Sequence, residues 1–400
     1  MNENFQAASD NMLNDRIRSH AVRIHKHVRN FRGVTAKCTY NHIILHKPIF
    51  SGSILNENGR YEAWYTRKKQ AEPLSMDILY TVMLKGLLDR FAPNSLQRAK
   101  RIELFDCMAL ENVLRLKRLT RLPKPACKVS IIDTWISSGL SIYLKAMASS
   151  KIVQIRLSYC LLSLDQLSLI AHSSNCKAMK NLSLFKSKIK ADHIEILSQN
   201  RSWDTLVELN LRSNLITDRG VGFLSQNTIW CNLQQLHLSD NQISNKGVEY
   251  LSQNKTWKKL MLLDLSVNFI EDQGIESLVQ NDTWVNLQRL NLFHNRIGVA
   301  GAQSLACKSI WKDLRHLDLS ENRVGKEGAS FIARNTSWLN LKILNLDRNS
   351  IDDDGAELLV LNQTWSKLLE LTMSGNNLSH VRKQLLLRTL KTRPLLMVKF

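Results

Sequence analysis

The sequence has no long apolar segment. No stretch of about 18 uninterrupted apolar residues, the length that spans a bilayer, occurs anywhere in it. The first residues, MNENFQAASDN, lack the apolar core of a secretory signal. We therefore expect neither a cleaved signal nor a membrane span, and the expected location is the cytoplasm.

Cysteine patterns typical of disulfides or zinc sites are also missing. The chain has seven cysteines, an odd number, and no CxxC pair. Cys38, His42 and His46 recur at four-residue intervals, but the surrounding sequence is typical of a strand and offers no fourth ligand. We predict free, mostly buried thiols, no bound metal and no cofactor.

Motifs of the common catalytic sites are absent. The sequence contains no GxSxG, HExxH, Walker A or glycine-rich dinucleotide loop. His237, His294 and His316 have no Cys or Ser nucleophile in matching register. The sequence therefore predicts a protein that is not an enzyme and has no catalytic residues.

Positive charge is abundant but unevenly distributed. Of the formal net charge of +20, residues 1–200 carry +16 and residues 201–400 carry +4. Such asymmetry favours contact of the N-terminal half with an acidic partner, a phosphate-rich surface or anionic lipid, and solubility alone is the alternative interpretation. Nucleic acid is not an expected partner, because no reader motif is present and the aromatic residues do not alternate with basic ones.

A 27-residue repeat dominates the sequence. Seven tryptophans are each 27 residues apart: Trp203, Trp230, Trp257, Trp284, Trp311, Trp338 and Trp365. Seven asparagines follow the same step: Asn214, Asn241, Asn268, Asn295, Asn322, Asn349 and Asn376. The pattern LxxLxLxxNxIxxxGxxxL surrounds them, and further copies precede it at Met179 and Ile152. Two weaker copies lie at Val129/Ile131 and Ile102/Leu104.

Each residue type that recurs at the same position of the repeat predicts a structural role. Alternating leucines such as Leu209 and Leu211 predict a short strand, and the asparagine after it predicts a ladder of amides that bond to freed backbone groups. We interpret the tryptophans as a stacked core rather than a binding stripe. N-caps of the following helices are predicted at Asp218, Asn245, Asp272 and Asp353. Left-handed residues at helix ends are predicted at Asn200, Asn227, Asn254, Asn281, Asn335 and Asn362.

These motifs resemble the ribonuclease-inhibitor-like subfamily of leucine-rich repeats. The resemblance implies an α/β solenoid, a horseshoe with a concave parallel sheet and convex helices, plus a small α+β capping region at the N-terminus. The predicted domains are residues 1–98, a basic capping region, residues 99–390, the solenoid, and residues 391–400, a C-terminal tail. The joints of the form LxxNxTWxxL also resemble repeat proteins of intracellular bacteria that act in host cells, which implies an effector in the host cytoplasm.

The outward positions of the strands provide the candidate binding surface, because residues between strand leucines point away from the core. Small polar residues dominate there, with two phenylalanines that have no core to enter. We therefore predict a non-enzymatic scaffold that binds a protein partner on the concave face. The predicted partner-binding residues are Arg156, Phe185, Arg212, His237, Asp264, Phe293, Asp318 and Asp347.

The region before the repeats supports alternative functions. Residues 10–32 predict a basic amphipathic helix that caps the first repeats, enters a partner groove or contacts anionic membrane. Residues 37–66 predict a small hairpin between the segments CTYNHIILHKPIF and GRYEAWYT. Residues 72–92 predict an apolar helix whose start resembles an F-box, which implies a ubiquitin-ligase adaptor. A GTPase-activating role resembling the Ran-activating family is a further alternative, although the acidic tail of that family is missing.

Overall fold

Two compact units make up the chain, residues 1–155 and residues 156–400. A computed structural model describes the backbone of residues 36–39, 42–46, 101–105 and 127–132, and residues 152–308, 310–390 and 395–400. The predicted helices at 10–32 and 72–92 and the second hairpin segment lie outside the described residues.

In the first unit, four strands are described: β1 (Ala36–Thr39), β2 (His42–His46), β3 (Arg101–Phe105) and β4 (Cys127–Ile132). β1 and β2 pair antiparallel with each other, so the hairpin forms within the first predicted segment rather than between the two. Only two residues separate these strands, the shortest common hairpin connection. β3 pairs parallel with β2 and with β4, and Leu104 lies opposite Ile131. The two weaker repeat copies are therefore strands.

In the second unit, short parallel strands follow one another in chain order. β5 (Ile152–Ser158) crosses the division between the units and neighbours β6. The strands that follow are β6 (Asn181–Ser183), β7 (Glu208–Asn210), β8 (Gln235–His237), β9 (Leu262–Asp264), β10 (Arg289–Asn291), β11 (His316–Asp318), β12 (Ile343–Asn345), β13 (Glu370–Thr372) and β14 (Met397–Lys399). From β6 onward each residue lies opposite the one 27 positions later, as Leu209 lies opposite Leu236. β14 was not predicted, since residues 391–400 were expected to be a tail, yet Val398 pairs in the same register with Leu371.

Helices alternate with the strands and pack against each other in sequence order. They are α1 (Leu164–His172), α2 (Ala191–Ser198), α3 (Thr217–Ser225), α4 (Asn245–Ser252), α5 (Asp272–Leu278), α6 (Val299–Cys307), α7 (Gly325–Ala333), α8 (Asp353–Leu361) and α9 (His380–Thr389). The repeat glycines lie inside these helices where neighbours approach closely. A Cβ on Gly247 would lie 2.4 Å from Oδ1 of Asp218 on the preceding helix.

Leucine and tryptophan side chains fill the space between strands and helices. All seven repeat tryptophans are fully buried, as are strand leucines such as Leu209 and Leu211. The rings of Trp203 and Trp230 stack with centroids 6.4 Å apart. The structural interpretation of the tryptophan row is confirmed by this burial.

The predicted asparagine ladder is present after strands β7 to β13. In its middle, Oδ1 of Asn268 accepts from the backbone N–H of Asn241 (3.1 Å) and of Ile243 (3.0 Å). Its Nδ2 donates to the carbonyls of Leu238 and Leu265 at 3.1 and 2.9 Å. One buried amide thus satisfies backbone groups in two consecutive repeats, which ties the repeats together.

A second asparagine ladder stands before the tryptophans, where left-handed residues were predicted. That prediction is wrong, because none of these asparagines has a positive φ. Instead, Oδ1 of Asn254 accepts from the N–H of Thr256 and of Trp257, and Nδ2 donates to the Ser225 carbonyl of the preceding repeat. This position needs a side chain with both a donor and an acceptor, which the asparagine amide provides, and it does not need a left-handed backbone.

The predicted N-cap residues are also misassigned. Asp218 lies inside α3, and the residue that begins α4, Asn245, is preceded by the actual cap, Ser244. Oδ1 of Asp218 accepts from the N–H of Ser244 at 2.8 Å and of Gly247 at 2.9 Å. Asp218 therefore caps the helix of the next repeat rather than its own. Asn245, Asp272 and Asp353 act in the same way on the helices that follow them.

Candidate functional site

The outward side chains of β6–β14 form one surface, here called the strand-side face. Side chains alternate along a strand, so each repeat contributes three outward positions in columns that run across the strands. The first column is Asn181, Glu208, Gln235, Leu262, Arg289, His316, Ile343, Glu370 and Met397. The second is Ser183, Asn210, His237, Asp264, Asn291, Asp318, Asn345, Thr372 and Lys399. The third is Phe185, Arg212, Ser239, Ser266, Phe293, Ser320, Asp347 and Ser374.

A charged cluster lies on β7–β9. Nε of Arg212 donates to Oδ2 of Asp264 at 2.9 Å, and a terminal guanidinium nitrogen donates to the same oxygen. The contact passes over the strand between them, where Nδ1 of His237 lies 3.8 Å from that carboxylate oxygen. The Asp264 side chain is 2% exposed and that of Arg212 is 40% exposed. The structure thus brings three of the eight predicted residues together, with the cation of Arg212 at the surface.

The protonation of Asp264 is set by its surroundings. Burial by itself raises the pKa of this carboxyl group, but His237, the hydroxyl and N–H of Ser266 and the charge of Arg212 together outweigh it and lower the pKa to about 2. The hydroxyl of Ser266 donates to Oδ1 at 2.7 Å. Asp264 is therefore ionised at neutral pH and holds Arg212 in one position.

Phe185 is half-buried at one end of the face. Its ring meets the ring of Tyr159 edge to face, with centroids 5.4 Å apart. Nζ of Lys186 lies 5.3 Å from the centre of the Tyr159 ring, which is 46% exposed as a residue. The predicted aromatic anchor is therefore part of an exposed group of two rings and one cation, in which the sequence had revealed only Phe185.

Phe293 is the second half-buried aromatic of the face. Its N–H donates to Oδ1 of Asn291 at 3.0 Å, and its ring contacts that of His294 with centroids 5.6 Å apart. Nδ1 of His294 lies 2.7 Å from Glu321, and the carboxylate of Glu321 also pairs with Arg348. These hydrogen bonds and charges hold the loops around Phe293 in place.

The remaining predicted residues are separate from these groups. Oδ1 of Asp318 accepts from Ser320, and Oδ1 of Asp347 accepts from the N–H of Ser374 at 2.6 Å. Arg156 is exposed on β5. All eight residues stay predicted partner contacts.

The first column was missed at the sequence level. Only positions beside the second strand leucine were considered, although the same 27-residue step places Arg289 and His316 at an equivalent outward position. Both residues lie side by side in the sheet. Both can be identified from the sequence if the inward–outward alternation is continued to the residue just before the first of the two strand leucines.

Two further findings concern other kinds of site. Among the side chains that the structure describes, no group of three or more His, Cys, Asp or Glu residues is placed to hold a metal ion. Within the same part of the chain, no helix has the length and apolar character needed to cross a bilayer. Of the four cysteines whose side chains the structure describes, Cys160 and Cys176 are buried whereas Cys231 and Cys307 are exposed, so the expectation of mostly buried thiols holds for half of these four.

Comparison with known proteins identifies the repeat. A family described as Leucine Rich repeat matches five segments, residues 205–225, 231–252, 285–306, 312–333 and 339–360. The chain contains leucine-rich repeats. The solved structure of an internalin from Listeria monocytogenes strain 4b F2365 is similar, with a TM-score of 0.51 and 16% sequence identity over 80% of this chain and 94% of that one. No curated protein sequence matches the chain.

The leucine-rich-repeat fold agrees with the predicted solenoid of parallel strands and alternating helices. The likeness to the internalin shows the fold alone, because the sequences share 16% identity. Leucine-rich repeats generally bind proteins along the surface that their stacked units create. The strand-side face is therefore the candidate interaction surface of this chain.

Proposed function

We propose that this leucine-rich-repeat protein is a non-enzymatic scaffold that holds a protein partner on the strand-side face, the concave side of a solenoid. The observation that carries the proposal is the placement of Phe185 and Phe293 on this face, each half-buried, with Phe185 against Tyr159 and Phe293 against His294. An aromatic ring in such surroundings gains free energy when a partner covers it. Arg212, fixed by Asp264, adds a positioned cation between the two rings.

The proposal includes an action as an effector in the cytoplasm of a host cell. It is supported by the resemblance of the LxxNxTWxxL joints to repeat proteins of intracellular bacteria. The charge of the first 200 residues, +16, favours one alternative, a module recruited by its N-terminal region to an acidic partner or an anionic membrane. The ubiquitin-ligase adaptor is a version of that alternative.

Affinity capture from a eukaryotic cell lysate tests the proposal. The bait chains are the parent, the double variant Phe185→Ala with Phe293→Ala, and the control Phe269→Ala. Phe269 is 47% exposed but lies in the loop between β9 and α5, outside the three columns. We expect a protein retained by the parent and by the control to be lost from the double variant.

A deletion of residues 1–34 separates the scaffold from the recruited module. The scaffold requires that the deleted chain retain the partner that the double variant loses. Loss of all partners from the deleted chain, together with full retention by the double variant, would contradict binding on the strand-side face. Thermal melts of each variant, followed by circular dichroism, ensure that only folded chains are compared.

A further inference from the structure

Four basic residues gather at one border of the strand-side face, and we call them the basic row: Arg289, Arg315, His316 and Lys342. Arg289 and His316 occupy the first column of β10 and β11 and lie opposite each other in the sheet. Arg315 and Lys342 precede the next two strands, and the N–H of Lys342 donates to the carbonyl of Arg315 at 2.8 Å. The row thus spans three consecutive repeats.

The positive charges of this row are not neutralised. Arg289, Arg315 and Lys342 are exposed, and within the described part of the chain none of them forms a salt bridge. Other cations on or beside the face are paired: Arg212 with Asp264, Arg348 with Glu321 and Lys399 with Glu370. The row therefore differs from its surroundings in holding cations without counter-charges.

The three cations of the row lie close enough to the His316 ring to affect its protonation. Nδ1 of its ring is buried and has no hydrogen-bond partner. Burial lowers the pKa of His316, and the charges of Arg289, Lys342 and Arg315 lower it further, whereas Glu370 on β13 opposes them. The effect of Glu370 is limited because its carboxylate is 2.5 Å from Nζ of Lys399. Three unpaired cations therefore lie within Coulombic range of the ring, against one carboxylate that is itself paired.

Charge complementarity defines what would cover this row. We infer that the basic row binds an acidic segment of the protein partner, with the carboxylates of that segment lying across β10–β12. This inference rests on the proposed function and names the chemistry of the partner. Strands about 4.8 Å apart place the row over roughly 10 Å, a span that about three residues of an extended chain cover at roughly 3.3 Å each.

The neighbouring columns restrict the orientation of such a segment. Asp318 lies next to His316 on the same strand face, and Asp347 lies in the third column. Both carboxylates already accept hydrogen bonds within the protein. They repel a second acidic row, so the acidic edge of the partner faces the first column and its neutral or basic edge faces the third.

A peptide of eight glutamates is the probe, and fluorescence anisotropy with the full chain is the measurement. The row variant carries Arg289→Gln, Arg315→Gln and Lys342→Gln. The control variant carries Arg201→Gln, Lys312→Gln and Arg334→Gln, which removes the same charge from three exposed residues outside the face. We expect the Kd to rise about tenfold or more in the row variant, with a change under about twofold in the control.

Three outcomes would overturn the inference. Equal weakening in both variants would show attraction by net charge alone. Tighter binding of an oligothymidylate than of the glutamate peptide, lost in the row variant, would assign the row to nucleic acid. Full competition by inorganic phosphate at equal charge concentration would show a general anion site. An NMR titration adds a local readout, in which the glutamate peptide raises the pKa of His316.

The test also separates this inference from the proposed function. The Phe185→Ala and Phe293→Ala double variant should keep its affinity for the glutamate peptide, because the row is unchanged. If the row variant still captures every lysate partner that the double variant loses, the inference fails and the scaffold stands. If the peptide binds the row but the double variant loses no partner, the scaffold on the strand-side face fails, whereas the basic row remains a site for acidic segments.

Discussion

Arg212 donates from Nε to Oδ2 of Asp264 across 2.9 Å, although 52 residues and one whole strand separate them. The pair links β7 to β9 over His237. Because the carboxylate is buried and the guanidinium is partly exposed, Asp264 contributes to stability as well as to the position of Arg212. The two roles can be measured separately.

The first prediction concerns the acid stability given by Asp264. The folded-state pKa of Asp264 is about 2, below the ordinary aspartate value of 3.8. Stabilisation is therefore present above the unfolded value and is lost as the pH falls through the folded one, a loss of about 2 kcal/mol. Urea unfolding between about pH 6 and pH 2 should show this component in the parent and not in Asp264→Asn. Asp240→Asn, at an exposed position just after the third column, is the control.

The second prediction concerns the asparagine ladder. Asn268→Ala leaves two buried N–H groups and three buried carbonyls without their side-chain partner. The expected loss in free energy of unfolding is about 3–5 kcal/mol. Asn286→Ala serves as the matched control, since the exposed Asn286 makes one bond, to the carbonyl of Lys258. A similar loss in both variants would contradict the role of the ladder.

The third prediction concerns Lys308, which occupies an asparagine position of the second ladder. Its Nζ donates to the carbonyl of Val279, as the amides do in other repeats. In other repeats the asparagine oxygen accepts from the backbone N–H of the tryptophan and of the residue before it. A lysine side chain has no acceptor for these two N–H groups. Lys308→Asn should therefore raise the free energy of unfolding by about 1 kcal/mol. Lys312→Asn, exposed in the same loop, should leave the melting temperature within about 1–2 °C.

The burial of Lys308 also makes the free energy of unfolding depend on pH. Burial lowers the pKa of the Lys308 ammonium from the ordinary lysine value of 10.5. The unfolded chain then binds more protons than the folded chain just below that value, so the stability contribution rises as the pH increases through this window. The Asn variant should lack this rise. A variant that is less stable than the parent at pH 7 would refute the assignment to the ladder.

The fourth prediction compares two glycines of neighbouring helices. A Cβ on Gly247 would lie 2.4 Å from Oδ1 of Asp218 and 2.6 Å from Ile243, so Gly247→Ala should cost about 2–3 kcal/mol. At Gly222 the nearest atom, on the Tyr250 ring, is 3.4 Å away, so Gly222→Ala should stabilise α3 by about 0.5–1 kcal/mol. Chemical unfolding distinguishes them, and equal effects would argue against close packing at Gly247.

The local repeat was predictable because each copy carries the same physical constraints. The alternation at Leu209 and Leu211 predicted a buried strand, and the regular recurrence of Asn268 and Trp257 predicted an amide ladder and a stacked core. Each depends on residues within one repeat and on a fixed step to the next. The candidate face followed from the same alternation, except for its first column, where Arg289 and His316 were overlooked.

By itself, the sequence determined the 27-residue period, the strands, the buried leucines and tryptophans and the face that the polar residues occupy. Only the tertiary structure decided which side chains meet across repeats. Asp218 caps the helix after its own, Arg212 reaches Asp264 two strands away, and three cations surround His316. Parallel stacking brings residues 27 or 52 positions apart within hydrogen-bonding or Coulombic range, whereas the pairing among them depends on side-chain reach and burial, which a linear pattern does not contain.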